Sequence, residues 1–356
     1  MKAENSPGKA EEKASDILYF GLDLGTFESA LAASSGLRVN VISVVGWPKD
    51  FISYKLLKKQ IVFGDECLKK RPSLDVIYPL EKGVIKYRQK EGADKTVGER
   101  QKTAAIELIR HLLSLAESKN DQKIFAVVGC PARASMEDKQ AIISASEGLV
   151  DSILVVSEPF LVAYSIGLFG LGIVVDIGAG TLDICRMHGT VPEEEDQRTS
   201  FIAGNEIDKK FYELMKERHP GIQITTSLAR KIKEEYAYVG ESQETMNVDF
   251  YVDGKLKTID VATEVRDACS IVIPEICENV RELVVSFDPE YMEELIKNIV
   301  IAGGGSRIKG LAHEIERNLS DLGSVRINLI EDPVYAGAVG GLMLAQEMPL
   351  EQWEQE

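Results

Sequence analysis

Apolar residues along this chain fall into two rhythms, short unbroken runs and stretches in which they recur every three or four positions. The run Ile17-Leu-Tyr-Phe-Gly-Leu-Asp23 closes on Gly25 and Thr26, which predicts a buried strand entering a tight turn. Further strands are expected over Ser29–Ala33, Arg38–Val45 and Ile124–Gly129. Between Thr96 and Glu117, the residues Ala104, Leu108, His111, Leu112 and Leu115 share one helical face, so an amphipathic helix is expected there. Ser135 followed by Asp138 predicts a capped helix start, with Asp in place of the Glu or Gln that suits a capping box better. Residues 47–92 mix lysine pairs, prolines and short apolar pieces without a sustained period, the pattern of an inserted small subdomain.

Then the pattern restarts. Gly172-Ile-Val-Val-Asp176-Ile-Gly178-Ala-Gly180-Thr181 echoes Phe20-Gly-Leu-Asp23-Leu-Gly25-Thr26, with Asp176 standing 153 residues after Asp23. Ile299-Val-Ile-Ala-Gly303 holds the place that Val127-Val-Gly-Cys-Pro131 holds in the first half, at an offset of about 173. Two motifs repeated in the same order indicate a duplicated domain, and the unequal offsets indicate different insertions in each half. The plainer alternative is two unrelated strand–turn elements, but such elements rarely recur in order.

A chain of 356 residues exceeds the usual size of one core, which also favours two lobes. The net charge of -16 argues against a binder of nucleic-acid backbone or anionic membrane. Five scattered cysteines without a C-x-x-C read as reduced thiols, and four dispersed histidines do not suggest a metal cluster. Residues Met1 to Asp16, rich in Lys, Glu, Ala and Ser, read as a disordered tail and not a signal peptide. No apolar stretch reaches membrane-spanning length, so a cytoplasmic protein without direct membrane insertion is expected.

A buried strand that ends in Asp, followed by Gly and Thr, has a specific use. The strand projects the carboxylate at an edge, while glycine lets backbone N–H groups approach phosphate oxygens. Thr26 and Thr181 add hydroxyls, and the carboxylates of Asp23 and Asp176, expected to face each other from opposite lobes, suit a hydrated Mg²⁺ carried by phosphates. One such loop is weak evidence. The pair is strong.

The paired loops resemble the two phosphate motifs of the actin, Hsp70 and sugar-kinase superfamily, and the resemblance runs from about Ile17 to Ala345. It implies an α/β, actin-like fold, a duplicated ribonuclease-H-like core in two lobes with small inserted subdomains. Lobe I is then expected over 17–157 and 332–356 with an insertion at about 47–92, and lobe II over 158–331 with an insertion at about 206–265. ATP and Mg²⁺ are the implied ligands. Ser157-Glu158-Pro159 resembles the first connector, which makes Glu158 the residue that positions the attacking water, with Asp176 beside it in catalysis and Asp23 and Asp176 at Mg²⁺. The ATP contacts implied are Gly25, Thr26 and Phe27 in the first loop and Gly178, Ala179, Gly180 and Thr181 in the second. On the adenosine side they are Gly204, Asn205 and Asp208, then Lys233 and Glu234, then Gly303, Gly304, Gly305, Ser306 and Arg307. Asp332-Pro333 through Ala338 resembles the second connector.

Within the superfamily the chain is most similar to the MamK family, the bacterial actins of magnetosome chains. Val44-Val-Gly-Trp-Pro-Lys-Asp50, Cys130-Pro-Ala-Arg-Ala-Ser135, His188-Gly-Thr-Val-Pro192 and the end Met348-Pro-Leu-Glu-Gln-Trp353 carry that likeness. It implies an ATPase forming dynamic cytoplasmic filaments that organise or position magnetosomes, with itself as partner, magnetosome-associated proteins as further partners, and no nucleic acid. The chain departs from actin where Phe27 and Glu28 follow Thr26, since actin offers a lysine there, and where Ala179 replaces an Asp. Another bacterial actin, of cell shape or plasmid segregation, and a small-molecule kinase of the same superfamily are the alternatives. A kinase needs a catalytic Asp base on the first lobe, for which the sequence offers no convincing residue.

Overall fold

The computed structural model describes residues 17–86, 95–116, 121–241 and 244–353. The tail expected over Met1 to Asp16 lies outside them. The chain divides into two compact units, the first running to Gly167 and resuming at Tyr335, the second spanning Leu168–Val334.

In the first unit the opening apolar run forms β1 (Ile17–Leu24), which is joined by β2 (Glu28–Ala33), β3 (Arg38–Ile42), β4 (Lys123–Cys130) and β5 (Ser152–Ser157) in a sheet of order β5-β4-β1-β2-β3. Strands β1, β4 and β5 run parallel, while β2 and β3 turn back antiparallel. Phe20, Leu22 and Leu31 point into a core closed by Leu108 and Leu112 of helix Lys95–Ser114 and by Ile142 of helix Met136–Ser146. The latter helix starts with a complete capping box between Ser135 and Asp138, so the shorter Asp side chain does close it. Trp353 packs on Phe125 with ring centroids 4.9 Å apart, and its carbonyl accepts a hydrogen bond from the Ser152 hydroxyl.

The second unit repeats this plan. Its sheet contains β6 (Gly172–Ile177), β7 (Leu182–Met187), β8 (Gln197–Ser200), β9 (Ile299–Ala302) and β10 (Ile327–Leu329), in the order β8-β7-β6-β9-β10. β6 again pairs antiparallel with its successor and parallel with β9, which is itself parallel to β10. Register makes the repeat exact to the residue: Asp23 lies beside Gly129, and Asp176 lies beside Ala302. Those neighbours are separated by 153 and 173 positions, the two offsets legible in the sequence.

Each unit carries an elaboration. In the first, residues 45–85 build a three-stranded sheet from Val45–Pro48, Val62–Phe63 and Leu74–Ile77, two short helices, and the hairpin of Leu80–Glu81 with Val84–Ile85. In the second, helices Gly204–Arg218, Thr226–Tyr236 and Ala262–Cys269 accompany the hairpin of Asn247–Val252 with Lys255–Asp260. Among the described residues no helix is long and apolar enough to cross a membrane.

Two expectations need correction. Arg38–Val45 is not one strand, because the chain breaks at Ser43 and passes from one sheet to another. The wholly buried Ser43 hydroxyl is drawn to Gly25 O at 2.7 Å and Ser29 Oγ at 2.8 Å, which stops the run. The division between units also differs from the expected 157/158 and 331/332. Helix Glu158–Ser165 stays in the first unit, since it lies against the returning helix Ala336–Glu347.

That contact depends on bare backbone. A Cβ placed on Gly340 would stand 1.8 Å from Leu161 O, and one on Gly21 would stand 1.9 Å from Ala338 O. Neither neighbour is a flexible side-chain end, so backbone must move to admit even a methyl group. Gly340→Ala should therefore lower the unfolding free energy of the first unit by about 2–3 kcal/mol. Gly98→Ala, in open space on helix Lys95–Ser114, should instead raise it by up to about 1 kcal/mol through helix propensity. Urea titration of both variants checks the contrast, and equal midpoints would show that the close approach is not required.

Candidate functional site

In the first unit, Asp23 and Glu158 stand at the carboxyl ends of the parallel strands, the usual location for ligands in such sheets. Asp23 is the penultimate residue of β1; Glu158 is the first residue of helix Glu158–Ser165, directly after β5, with Pro159 in the opening turn. Glu158 is 8% exposed. Both acids are backed by glycine. A Cβ on Gly129 would come within 2.9 Å of Glu158 Cγ, and one on Gly337 within 2.8 Å of Asp23 Oδ2.

The first loop is held from two sides. Ser43 donates its hydroxyl to Gly25 O and its N–H to Phe27 O, both at 2.7 Å, so the backbone of Gly25-Thr26-Phe27 is clamped. The hydroxyl oxygen of Thr26 accepts the Gly83 N–H at 2.7 Å, which leaves its own proton to be donated elsewhere. Glu28, the residue that follows where actin has its lysine, begins β2 and accepts a hydrogen bond from Asn40 of β3 at 2.8 Å. Its charge is engaged along the strand pair.

In the second unit Asp176 is the penultimate residue of β6 and is 8% exposed. Gly303 follows β9 with φ 72, and a Cβ there would lie 2.3 Å from Asp176 Oδ1, so both conformation and space require glycine. The loop Gly178–Thr181 is closed by the Gly178 N–H on Thr181 O at 2.9 Å. Helix Gly204–Arg218 starts on this loop, with the Gly204 N–H donating to Gly178 O and the Asn205 N–H to Ala179 O. Directly across the ladder from Asp176 is Asp183, also buried, which accepts the Thr199 hydroxyl at 2.6 Å. The two acids thus occupy facing positions of one buried strand pair.

The residues expected on the adenosine side gather within the second unit. Asp208, buried in helix Gly204–Arg218, takes Arg230 Nε at 2.7 Å and Lys233 Nζ at 2.8 Å from helix Thr226–Tyr236. Arg230 also reaches Asn205 Oδ1 at 2.6 Å, and Lys233 reaches Gly204 O at 3.3 Å. Glu234 is exposed on the same helix. The turn Gly304–Arg307 follows β9, with Ser306 buried and donating to Gly303 O at 2.7 Å, while Arg307 is exposed. This turn is tied to the end of helix Thr226–Tyr236 by Lys309 N–H to Ala237 O and Val239 N–H to Lys309 O.

Sequence reasoning missed four participants. Arg230 stands three residues before Lys233, hence on the same helix face, and that spacing was the available signal. Asp183 lies two residues past Thr181 in the second loop motif. Ser43 and Gly83 had no local signal, because they meet the first loop from 18 and 57 residues away. The five cysteines are unbonded and buried, and burial pushes the thiols of Cys67, Cys269 and Cys277 up to about 11, so these three are poor nucleophiles.

Comparison with known proteins agrees with this architecture. The family model described as MreB/Mbl protein matches residues 18–352. The actin-like protein MamK of Paramagnetospirillum magneticum is 40% identical over 347 residues, covering 98% of this chain and 97% of that protein. Among solved structures, the MamK double helical filament has a TM-score of 0.88 at 40% identity, covering 94% of this chain and all of that one. A non-polymerising MamK mutant bound to AMPPNP has a TM-score of 0.71, also at 40% identity, covering 93% and 99%.

The Asp208 cluster yields a prediction of its own. Asp208→Asn leaves Arg230 and Lys233 without their shared counter-charge, which should cost the second unit about 3 kcal/mol. Its melting temperature should then fall by about 6–12 °C. Differential scanning calorimetry reads this directly, and a shift of less than about 2 °C would show the ion pairs to be solvent-screened and dispensable.

Proposed function

The chain belongs to the MreB/Mbl family, and we propose that it is an actin-like ATPase that assembles into dynamic cytoplasmic filaments, organising or positioning magnetosomes. The observation that carries the ATPase reading is the repeated strand-end acid. Each unit projects an aspartate beside a glycine-bearing loop, and the first adds Glu158 against Gly129. Two relatives support the rest: one forms a double helical filament and another binds AMPPNP.

In this reading the second unit receives adenosine between helix Thr226–Tyr236, the start of helix Gly204–Arg218 and the Gly303–Arg307 turn. Arg230 and Lys233, held by Asp208, frame that side. Backbone N–H groups of Ala179, Gly180 and Thr181 donate to phosphate oxygens in the second unit, and the Gly25-Thr26-Phe27 loop offers the same chemistry in the first. Thr26, whose oxygen already accepts from Gly83, contributes its hydroxyl proton. Mg²⁺ fits the acids present, since Asp176 and Asp183 oppose each other in a buried ladder and Asp23 ends the equivalent strand. Among the described residues no group of three or more acids, histidines or cysteines could hold a metal, so Asp176 in its unit, like Asp23 in its own, would need phosphate oxygens to complete the shell of an ion. Bound there, it supplies charge neutralisation that the first loop, lacking a lysine, does not.

Glu158 is the group left for chemistry. It orients water in line with the leaving oxygen; a bond forms from that water to the γ-phosphorus as the bond to the β,γ-bridging oxygen breaks. The products are ADP and phosphate, and the water proton passes towards the carboxylate. Hydrolysis then weakens subunit contacts and lets filaments turn over.

Two variants separate binding from chemistry. Asp176→Ala should abolish Mg-ATP-dependent assembly and weaken a fluorescent ATP analogue in titration; wild-type affinity would remove Asp176 from the site. Glu158→Ala should bind ATP and still assemble, yet release phosphate roughly 10²-fold more slowly, as for a typical general base. Its filaments should outlast those of the wild type. Wild-type phosphate release by this variant would show that another group positions the water.

A further inference from the structure

The hairpin of Leu80–Glu81 with Val84–Ile85 turns through two residues, Lys82 and Gly83, which join the pairs Leu80 with Ile85 and Glu81 with Val84. Both are left-handed, Lys82 at φ 54 and Gly83 at φ 69, as a type I′ turn demands. Glycine suits the second position. The first is one that asparagine or aspartate fills readily, whereas lysine is strained there. Strain that persists points to a use, and the surroundings of this turn supply one.

The turn is rooted in the fold. Leu80 and Ile85 are buried in the core of the first unit, and below them the Lys86 N–H donates to Pro79 O at 2.9 Å. Its tip meets the first loop, where the Gly83 N–H donates to the Thr26 hydroxyl oxygen at 2.7 Å. Lys82 is one peptide unit from that contact, a step of about 3.8 Å between Cα atoms. Its side chain is exposed and carries an ammonium group on a flexible four-carbon stem.

The first loop has no positive side chain of its own. No Lys or Arg occurs between Ile17 and Ala33, whereas Asp23 and Glu28 do. Glu158 adds a further acid at the carboxyl ends of the same sheet. A triphosphate arriving there meets carboxylates, so a cation must come from outside the loop. The inserted subdomain is where the charge lies: residues 47–86 hold nine Lys and Arg against five Asp and Glu, in a chain of net charge -16. Within the turn, Glu81 is engaged by Lys86 at 3.7 Å, so the acid next to Lys82 already has its cation.

We infer that Lys82 takes the place of the lysine missing from the first loop and sets its ammonium group on the terminal phosphate of ATP, beside the Thr26 hydroxyl. The cation is delivered by a turn of the inserted subdomain instead of by the strand–turn itself. The inference rests on the ATP reading and adds a phosphate-binding residue to it.

Titration of the full chain with ATP, ADP and adenosine at saturating Mg²⁺ tests it. Lys82→Asn removes the charge and supplies a residue that the turn prefers, so its melting temperature without nucleotide should equal or exceed that of the wild type. ATP should bind this variant about tenfold more weakly through loss of one charge-assisted hydrogen bond, with ADP affected less and adenosine unchanged. Lys82→Arg keeps the charge and should stay within about threefold of the wild type for ATP. A loss of ATP affinity in Lys82→Arg as large as in Lys82→Asn would show that charge is not what this position supplies. An equal loss of ATP and adenosine would show a turn that only shapes the loop. Either result overturns the inference. So does wild-type ATP affinity in Lys82→Asn, which leaves the ATP reading standing, whereas a wild type that binds no ATP removes that reading as well.

Discussion

A carboxylate can stand at the end of a buried strand only where the adjoining chain leaves room for it, and here the room is made each time by a missing Cβ. Gly337 makes it for Asp23, Gly129 for Glu158 and Gly303 for Asp176. The glycines come from different elements: the returning helix, the neighbouring parallel strand, and the turn after the equivalent strand of the second unit. The space each acid occupies is therefore bounded by backbone, which cannot swing aside as the end of a flexible side chain can. The same condition spreads into the fold. Gly21 and Gly340 let the returning helix lie on β1 and on helix Glu158–Ser165, which keeps Gly337 where Asp23 requires it.

Duplication explains why the condition is met twice. Both sheets use the same strand order and the same mixture of parallel and antiparallel neighbours, so each strand-end aspartate inherits the same place in its sheet, although Asp23 faces Ala30 across the ladder and Asp176 faces Asp183. The halves diverged in what was added to them. The second unit gained helices that assemble the Asp208 cluster, while the first gained a basic subdomain whose Gly83 reaches Thr26. That hydrogen bond connects the first loop to the segment bearing the exposed Phe51–Leu57 helix. The loop thus shares a covalently continuous neighbour with an exposed apolar helix face.

Much of this was legible in the sequence because it is encoded locally. The run ending in Asp23 and its echo at Asp176 disclosed strand, turn and repeat together, and Ser135 with Asp138 disclosed a helix start. The resemblance to actins supplied Glu158, which composition alone would have left as an ordinary helix-opening residue. What stayed hidden depends on distant partners. The break at Ser43 arises from hydroxyl contacts to Gly25 and Ser29 on another segment, which no local pattern of apolar residues records. Lys233 was read for the nucleotide, whereas its immediate partner is Asp208, 25 residues earlier and buried. Asp183 was passed over because an acid within a strand reads as a surface residue until its burial is known.

The claim that bare backbone sets the acids is tested most directly through Gly337, where the backbone is not left-handed and only space is at issue. The measurement is the Mg²⁺ dependence of ATP-analogue affinity for Gly337→Ala beside Gly170→Ala, a position with nothing within 4 Å of the added methyl group. Displacement of Asp23 predicts an affinity about tenfold weaker for the first variant at saturating Mg²⁺, with the second unchanged. Equal affinities for both would contradict the account.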